Sequence, residues 1–500
     1  MRGKRSLFVS PTAKTFSLKV VSQGVVQGLV VLRGLIALPI LSRTLGVEAY
    51  GIWTQIMVTL SLMAPILMLR FDTVFVRYFS TDQAHERWRQ IFSSMFFFII
   101  GIVALVSAVL CVFNRTAAFL VFRDSDLAAY IPVLAGLLAF RALFLFFLST
   151  FRARYQIGLY SAVQALQLLG EAVILFMMVV VFSRPLLETL QAVLWFNALA
   201  GVILILAVLS RTGLMRPRLR LLKPYVRFAL PLVPNVSLFW IINYSDRYII
   251  THLIDLEHAG IYAASYALGQ FVILLLAPLT FVLYPTLSRL WEAGERENAL
   301  LWMRQSIKVF LFLAVPAAAG LHRFSFFLLN HLATDAFEQP WLVLLVAAGF
   351  LFHGVSQILI YVLHMEEKSF HVLYLFLAVA VSNIAMNLML IPRLGIQGAG
   401  LATLFSYVIE WILLILIVRR SFHPVVDKRP VLTVLAGTGV MTGALYLVPI
   451  GTPLQAAGLM AGGAVIYLAC TRIMGGWGKK EWSLFRDVIR YPLERKKSGL

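Results

Sequence analysis

The sequence predicts an all-α polytopic membrane protein with about fourteen transmembrane helices. Of its 500 residues, 60% are hydrophobic and only 13% are charged, and the mean hydropathy is +0.87. Soluble domains carry about 25% charged residues, so this chain has too few polar side chains to cover a core in water. Apolar runs long enough to cross a bilayer recur from about residue 17 to about residue 473. Most of the surface is therefore expected to face lipid.

Apolar stretches of about 18 residues or more define the predicted spans. A predicted N-terminal six-helix bundle over residues 20–210 contains spans near 20–41, 50–76, 90–113, 129–151, 158–182 and 188–210. A predicted C-terminal six-helix bundle over residues 228–418 contains spans near 228–251, 260–287, 307–329, 340–363, 370–391 and 397–418. Two additional transmembrane helices are expected over 431–473, near 431–449 and 454–473. A basic cytoplasmic linker, 211–227, separates the two bundles.

Basic residues are unevenly distributed between the two sides of the predicted membrane. The chain has 43 Lys and Arg against 23 Asp and Glu, a formal net charge of +20. Most basic residues outside the spans fall on the side of the N-terminus, and the opposite side holds Arg43, Arg115, Arg123, Arg184, Arg323 and Arg393. Because Lys and Arg favour the cytoplasmic side, we expect a multi-pass protein of the cytoplasmic (inner) membrane with both termini in the cytoplasm. This includes a basic N-terminus (1–19) and a basic amphipathic tail (474–500), and no nucleic-acid partner is predicted.

A short internal repeat relates the two predicted bundles. The segment Val47–Trp53 (VEAYGIW) enters the second span, and Leu256–Tyr262 (LEHAGIY) enters the eighth, at an offset of 209 residues. Six spans separate them, and an even number preserves orientation in the membrane. The halves are therefore expected to be related by a pseudo-twofold axis along the membrane normal, with a substrate site between them.

Ionisable residues inside the spans mark the candidate site, because a charge at the centre of a membrane helix costs at least about 2.5–3.5 kcal/mol. They are Arg33, Arg70, Asp72, Arg141, Glu171, Asp246, Arg247 and Glu410. Asp246 and Arg247 are neighbours about 100° apart on a helix, so we expect that they do not pair face to face and that one of them faces a cavity.

Polar residues also repeat at helical spacing on several spans. The fifth span carries Ser161, Gln164, Gln167 and Glu171, the eleventh Asn383 and Asn387, and the twelfth Thr403, Ser406 and Glu410. Each set is expected on one face of its helix. Such stripes indicate either a hydrated cavity between the bundles or hydrogen bonds between helices, and the sequence leaves both open.

Signatures of enzymes and metal sites are absent from the sequence. It contains no phosphate-binding loop, no HExxH motif and no GxSxG motif. The nine histidines show no ligand spacing, and the two cysteines, Cys111 and Cys470, lie in separate apolar runs. We therefore predict a protein that is not an enzyme and that uses no metal and no bound cofactor.

Five segments of the sequence resemble those of a known family. They are Leu41–Gly51 (LSRTLGVEAYG), Phe228–Pro234 (FALPLVP), Asp246–Ile250 (DRYII), Ala259–Tyr266 (AGIYAASY) and Leu394–Thr403 (LGIQGAGLAT). Over roughly residues 20–420 the chain resembles bacterial polysaccharide-unit flippases, the O-antigen-type members of the multidrug/oligosaccharidyl-lipid/polysaccharide exporter superfamily.

The resemblance implies movement of a polyprenyl-pyrophosphate-linked oligosaccharide from the cytoplasmic to the outer leaflet by alternating access. Such a flippase would serve the synthesis of a cell-surface polysaccharide, such as the O-antigen of lipopolysaccharide, a capsule or an exopolysaccharide. We expect a cationic cavity formed by Arg33, Arg70, Arg141 and Arg247, because the planar guanidinium suits pyrophosphate. Sugar hydroxyls are expected to meet Gln164, Gln167, Asn383 and Asn387.

Three acidic residues are candidates for coupling transport to an ion. A carboxylate in a low dielectric can titrate near neutral pH, so Glu171, Asp246 and Glu410 are expected to couple transport to a proton or sodium gradient or to the membrane potential. The expected partners are the lipid-linked oligosaccharide, membrane lipids, and the polysaccharide polymerase with its chain-length machinery. Two alternatives stay open: an ion-coupled multidrug or cation antiporter of the same superfamily, and a membrane scaffold of a polysaccharide synthase complex.

Overall fold

The computed structural model describes residue 28 and residues 33–78, 85–154, 156–419, 421 and 428–475. Over these residues the chain forms helices and no strand, which confirms the all-α fold class. The predicted basic N-terminus (1–19), most of the first half of the first span and nearly all of the basic tail (474–500) lie outside the described residues.

Helices occupy every predicted span position. The first part of the chain contains α1 (33–45), α2 (Val47–Leu67), α3 (Phe71–Tyr78), α4 (His85–Val112), α5 (Asn114–Phe122), α6 (Tyr130–Ala153), α7 (Ile157–Phe176) and α8 (Leu186–Thr212). The second part contains α9 (Lys223–Ala229), α10 (Val233–Leu253), α11 (Leu256–Gly269), α12 (Phe271–Leu274), α13 (Ala277–Glu292), α14 (Arg296–Leu332), α15 (Pro340–Met365), α16 (Ser369–Leu394) and α17 (Ile396–Val418). Two further helices, α18 (Lys428–Tyr446) and α19 (Pro453–Ile473), follow.

Eleven helices of the described part are long and apolar enough to cross a membrane, or twelve if the bent pair Leu256–Leu274 and Ala277–Glu292 is one span. The difference from about fourteen predicted spans arises at two places. The first span is described mainly from residue 33 onward. The thirteenth forms a 19-residue helix, α18, but the glycines and threonines in AGTGVMTGA lower its apolar character. The chain is a multi-pass membrane protein.

The second predicted span is not one continuous helix. We expected a helix over 50–76, but α2 ends at Leu67 and α3 begins at Phe71. Between them Leu69 and Arg70 adopt positive φ values of 46° and 55°. This left-handed conformation costs a non-glycine residue roughly 1–2 kcal/mol, so the break is a strained feature that surrounding contacts must hold.

The two repeated segments pack directly against each other. A Cβ atom on Gly51 would overlap the carbonyl oxygen of Leu256, and a Cβ atom on Gly260 would lie 3.0 Å from the backbone nitrogen of Gly51. Gly51 and Gly260 are equivalent positions of the repeat, so α2 and α11 cross at matching points. Contact between equivalent residues is what a pseudo-twofold axis passing between them requires. The division into two six-helix bundles stays a prediction.

A second contact near the same end of α2 ties α1 to α14. Arg43 donates to the carbonyl oxygens of Asn330, His331 and Ala333 at 3.1, 2.5 and 3.0 Å. These carbonyls belong to the last turn of α14 and its cap, where intrahelical partners are missing and a cation is favourable. The tip of α1 thereby holds a segment almost 300 positions away in the sequence.

The two C-terminal helices pack on α14. The hydroxyl of Tyr467 in α19 donates to the carbonyl oxygen of Phe312 at 2.8 Å. Arg323 of α14 donates to the carbonyl oxygens of Leu445 and Val448 at 3.2 and 2.9 Å, which caps the end of α18. These bonds satisfy polar groups that lipid cannot, so α18 and α19 are fixed to the helix before them.

Candidate functional site

A buried polar network joins four helices in the first part of the chain. We define the N-terminal cluster as Arg33 (α1), Arg141 (α6), Gln167 and Glu171 (α7), and Asn197 (α8). Arg33 Nη2 lies 2.6 Å from Glu171 Oε2, and Arg141 Nη1 donates to Gln167 Oε1 at 3.0 Å. The Gln167 amide donates to Glu171 at 3.2 Å and to Asn197 Oδ1 at 2.8 Å. The polar stripe predicted on the fifth span is therefore an interior face.

A small cavity adjoins this cluster. Its lining includes Arg33, Trp53, Met57 and Glu171, and its volume of about 20 Å³ has room for about one water molecule. Arg33 also donates to the Met57 sulfur at 2.8 Å and lies 5.9 Å from the ring centre of Trp53. The cluster is thus closed around its own groups in this conformation. A pyrophosphate could enter only after the surrounding helices separate.

Gln164, one turn before Gln167, is buried on the same face of α7. Its side-chain oxygen has no hydrogen-bond partner among the residues that the structure describes. A buried, unpaired amide oxygen costs about 1–3 kcal/mol. It is therefore an acceptor available to a ligand hydroxyl or to water.

Arg70 lies at the strained break between α2 and α3. Its Nη2 atom donates to Thr73 Oγ1 at 3.0 Å and is 3.5 Å from Asp72 Oδ2. The Arg70 side chain is 29% exposed, so its guanidinium keeps part of its surface free. Tyr160 of α7 lies within electrostatic reach of both Asp72 and Arg141, which places the break near the N-terminal cluster.

Arg247 pairs with Asp246, so the expectation that these neighbours do not pair is wrong. Arg247 Nη1 lies 2.6 Å from Asp246 Oδ1 and donates to the carbonyl oxygen of Asn243 at 2.5 Å. The 100° between neighbouring positions is overcome because the long arginine side chain folds back along the helix. Its guanidinium carbon lies 4.0 Å from the ring centre of Tyr266, and Tyr262 donates to the second Asp246 oxygen at 2.5 Å. The pair is buried, with 5% and 1% of the side chains exposed.

Asn383 and Asn387 are buried inside the second part of the chain. Asn387 donates to Asn383 Oδ1 at 3.0 Å, and Asn383 Nδ2 donates to Ser406 at 3.3 Å. Ser245 of α10 donates to the same Asn383 oxygen at 3.4 Å. These bonds tie α10, α16 and α17 together. Asn387 Oδ1 has no hydrogen-bond partner among the described residues, and the expected contact of the two asparagines with sugar hydroxyls stays a prediction.

The remaining candidate acid, Glu410, pairs with a histidine. His353 Nδ1 of α15 lies 2.8 Å from Glu410 Oε2 of α17, and His353 Nε2 lies 3.2 Å from the amide nitrogen of Gln357. Glu410 is 1% exposed, and its second oxygen has no hydrogen-bond partner in the described part of the chain. Within that same part, no group of three or more His, Cys, Asp or Glu is placed to hold a metal ion.

Two partners of these residues were missed by the sequence analysis. Asn197 and Tyr262 complete polar contacts across 30 and 16 positions of sequence. Asn197 is an isolated polar residue in an apolar span, which is the only sequence signal it gives, whereas His353 shares a face of the tenth span with Gln357 and His364. Tyr262 falls inside the repeated segment, where its hydroxyl could have been expected to need a partner.

The comparison with protein families matches residues 18–291 to the family described as "Polysaccharide biosynthesis protein". The match covers more than half of the chain. The chain belongs to this family. The predicted resemblance is thereby confirmed at the level of the family.

One sequence relative of this polysaccharide biosynthesis protein is described as "Probable flippase AglR", from Haloferax volcanii. The two are 22% identical over 242 residues, which cover 45% of this chain and 49% of the relative. The chain spans less than half the length of the curated relatives it matches.

Two solved structures share the fold. "Lipid II flippase MurJ, inward closed conformation" has a TM-score of 0.73 at 15% identity, covering 95% of this chain and 100% of that one. An inward-facing multidrug resistance MATE family transporter of the MOP superfamily has a TM-score of 0.62 at 12% identity, covering 78% of this chain and 95% of that one. The chain therefore has a MurJ/MATE-like fold. Family and fold agree with the prediction of a transporter rather than an enzyme.

Proposed function

We propose that this polysaccharide biosynthesis protein is a flippase that moves a polyprenyl-pyrophosphate-linked oligosaccharide across the cytoplasmic membrane. The observation that carries the proposal is the N-terminal cluster, in which Arg33 pairs with Glu171 and Arg141 is linked to the same carboxylate through Gln167. The description of AglR as a probable flippase supports a flippase role, and that of MurJ as a lipid II flippase supports a lipid-linked substrate.

The cluster has the chemistry that a pyrophosphate headgroup requires. Moving an anion through hydrocarbon without partners is prohibitive, so the headgroup needs fixed cations along its path. Arg33 of α1 and Arg141 of α6 contribute two guanidinium groups, and Glu171 is the one carboxylate of the N-terminal cluster as the described residues define it. Arginine binds phosphate oxygens through two parallel hydrogen bonds, which a lysine cannot reproduce.

In the closed conformation Glu171 is the anionic partner of Arg33, a role that the pyrophosphate of the substrate takes over during transport. Glu171 keeps Arg33 paired while the cavity is too small for a headgroup. When the helices separate, the pyrophosphate exchanges with Glu171 as the partner of Arg33, and Arg70 adds a third cation from the neighbouring break. The Gln164 and Gln167 amides, on the same face of α7, supply hydrogen bonds to sugar hydroxyls.

The finer parts of the function belong to the same proposal. We propose that the chain lies in the inner membrane with both termini in the cytoplasm, and that it serves O-antigen, capsule or exopolysaccharide synthesis beside a polymerase and its chain-length machinery. Arg247, Asn383 and Asn387 are assigned to holding the second part of the chain together. Transport is proposed to run by alternating access, because the cluster is closed around itself and must open to each side in turn.

The proposal is tested with the full chain in proteoliposomes that carry a fluorescent polyprenyl-pyrophosphate-linked oligosaccharide. Arg33→Ala and Arg141→Ala are each expected to slow translocation by about 10- to 100-fold, since a hydrogen bond to a charged group is worth about 1.5–3 kcal/mol. Arg141→Lys is expected to recover only part of the rate. The matched control is Arg184→Ala, whose side chain is 57% exposed.

Two outcomes would contradict the proposal. The first is normal translocation by both Arg→Ala variants at wild-type protein abundance. The second is a wild-type chain that moves no lipid-linked oligosaccharide of any sugar composition. Equal loss of activity in Arg184→Ala would show instead that the assay responds to any arginine.

A further inference from the structure

The three buried carboxylates expected to couple an ion differ in the partner that faces each of them. Glu171 lies 2.6 Å from the guanidinium of Arg33, and Asp246 lies 2.6 Å from that of Arg247. Arginine stays charged at every physiological pH. Neither of these two pairs therefore contains a partner that changes its charge near neutral pH.

Glu410 is the exception. Its partner is the imidazole of His353, 2.8 Å away on another helix. Histidine is the side chain whose charge changes between about pH 5 and 8. The carboxylate is 1% exposed, and its other oxygen has no hydrogen-bond partner among the described residues. A buried acid with an open oxygen and a titratable partner is a site that can gain and lose a proton.

We propose that Glu410 and His353 bind and release the proton that drives transport, an inference that rests on the proposed flippase function. In the unloaded state the neutral imidazole donates from Nδ1 to ionised Glu410, and Nε2 accepts from the Gln357 amide nitrogen at 3.2 Å. One proton then adds to Nε2. The pair changes from a net charge of −1 to zero, and the Gln357 amide turns so that its oxygen accepts the new N–H.

The surroundings make this change in charge consequential. Among the described residues, Tyr407 of α17 lies 4.5 Å from the His353 ring and interacts electrostatically with Glu410, with Tyr266 of α11 and with Asp246 of α10. Asp246 is in turn paired with Arg247. The helix α14 presents the apolar ring of Phe310 to Gly354, beside His353. Because Asp246 and Arg247 balance each other, the charge of this region is set by the proton on the His353–Glu410 pair.

The pair is also placed to transmit the change to other helices. His353 lies 4.5 Å from the ring of Tyr407, whose hydroxyl donates to Asn243 of α10 at 3.3 Å. A proton at this pair converts a contact between α15 and α17 into an ion pair and acts through Tyr407 on α10. Gln357 is half-buried on the same face of α15.

Direct titration tests proton binding without any transport substrate. The full chain in lipid nanodiscs, with 15N-labelled histidine, is titrated from about pH 5 to about pH 9, and His353→Gln identifies the His353 signal. We expect the wild-type imidazole to titrate in this range and Glu410→Gln to change its titration, while Glu188→Gln, an exposed carboxamide control, leaves it unchanged. A His353 signal that shows no titration, or one that Glu410→Gln leaves unaltered, overturns the proposal.

Transport under a pH gradient tests coupling. One pH unit across the membrane changes the steady-state distribution of a substrate exchanged for one proton about tenfold. With wild type and Glu188→Gln, we expect about this ratio of substrate between the two leaflets. With Glu410→Gln and His353→Gln, we expect the substrate to distribute equally between them. A full gradient response in either pair variant overturns the coupling role and leaves the flippase proposal standing. A wild type that titrates but moves no lipid-linked oligosaccharide overturns both.

Discussion

Two buried ion pairs of equal length differ in what surrounds them. Arg33 and Glu171 lie 2.6 Å apart beside a cavity, with 24% of the arginine side chain exposed. Arg247 and Asp246 lie at the same distance, but only 5% of that arginine is exposed and aromatic rings cover it. The first pair can exchange partners with a ligand, whereas the second fixes α10 against α11. Both arginines were predicted as cavity residues because they lie inside predicted spans. The difference between their surroundings is seen only in the structure.

The structural role of Arg247 gives a stability prediction. Removing one member of a buried pair leaves an uncompensated charge and costs about 3–5 kcal/mol, so Arg247→Ala and Asp246→Ala should each lower the thermal unfolding midpoint strongly. The double variant should recover a large part of the loss, because both charges are then absent. Thermal unfolding of the purified full chain in detergent measures this double-mutant cycle. The same cycle on the exposed pair Arg184 and Glu188 is the control. Additive losses in the double variant would contradict the assignment.

The sequence predicted the buried face of helix α7 but did not predict the break between α2 and α3. The period of Ser161, Gln164, Gln167 and Glu171 predicted their shared face, because helical geometry alone decides it. The break at Leu69 and Arg70 was missed because neither residue is glycine or proline. Local hydrogen bonds close the turn, among them Leu69 N–H to the Ile66 carbonyl oxygen at 2.9 Å. The period of the two asparagines of α16 fits a cavity wall and an interhelical bond equally well, and the structure shows that they form hydrogen bonds between helices.

The crossing of α2 and α11 gives a prediction for the repeat. Gly51→Ala would place a methyl group against the Leu256 carbonyl, where backbone must move, and overpacking of this kind costs about 1–3 kcal/mol. We expect a lower unfolding midpoint for Gly51→Ala. Gly101→Ala in α4 is the matched control, because its Cβ would meet no atom within 4 Å. Equal midpoints for the two variants would show that the glycine contact does not hold the helices together.

At the scale of the whole molecule, contacts distant in sequence hold the chain closed at one end. Arg43 donates hydrogen bonds to the end of α14, and Gly51 packs against Gly260. The rings of Tyr50 and Phe337 lie 5.8 Å apart. The distribution of basic residues predicted the side of the membrane on which Arg43 lies, and the repeat predicted which helices correspond. Neither pattern could predict the closure, since it depends on partners that lie 209 to 290 positions apart in the sequence.

Closure at this end yields a prediction about alternating access. Arg43→Ala removes charged hydrogen bonds to three carbonyl oxygens at the end of α14. Even one such bond is worth about 1.5–3 kcal/mol. The population of molecules open at this end should therefore rise at least about tenfold. Ala259→Cys, in a background with Cys111→Ser and Cys470→Ser, reports opening because Ala259 is 1% exposed. We expect faster labelling by a membrane-impermeant maleimide added outside intact cells, and no change with Arg184→Ala. Labelling unaffected by Arg43→Ala, or possible from the cytoplasmic side alone, would refute closure on the extracytoplasmic side.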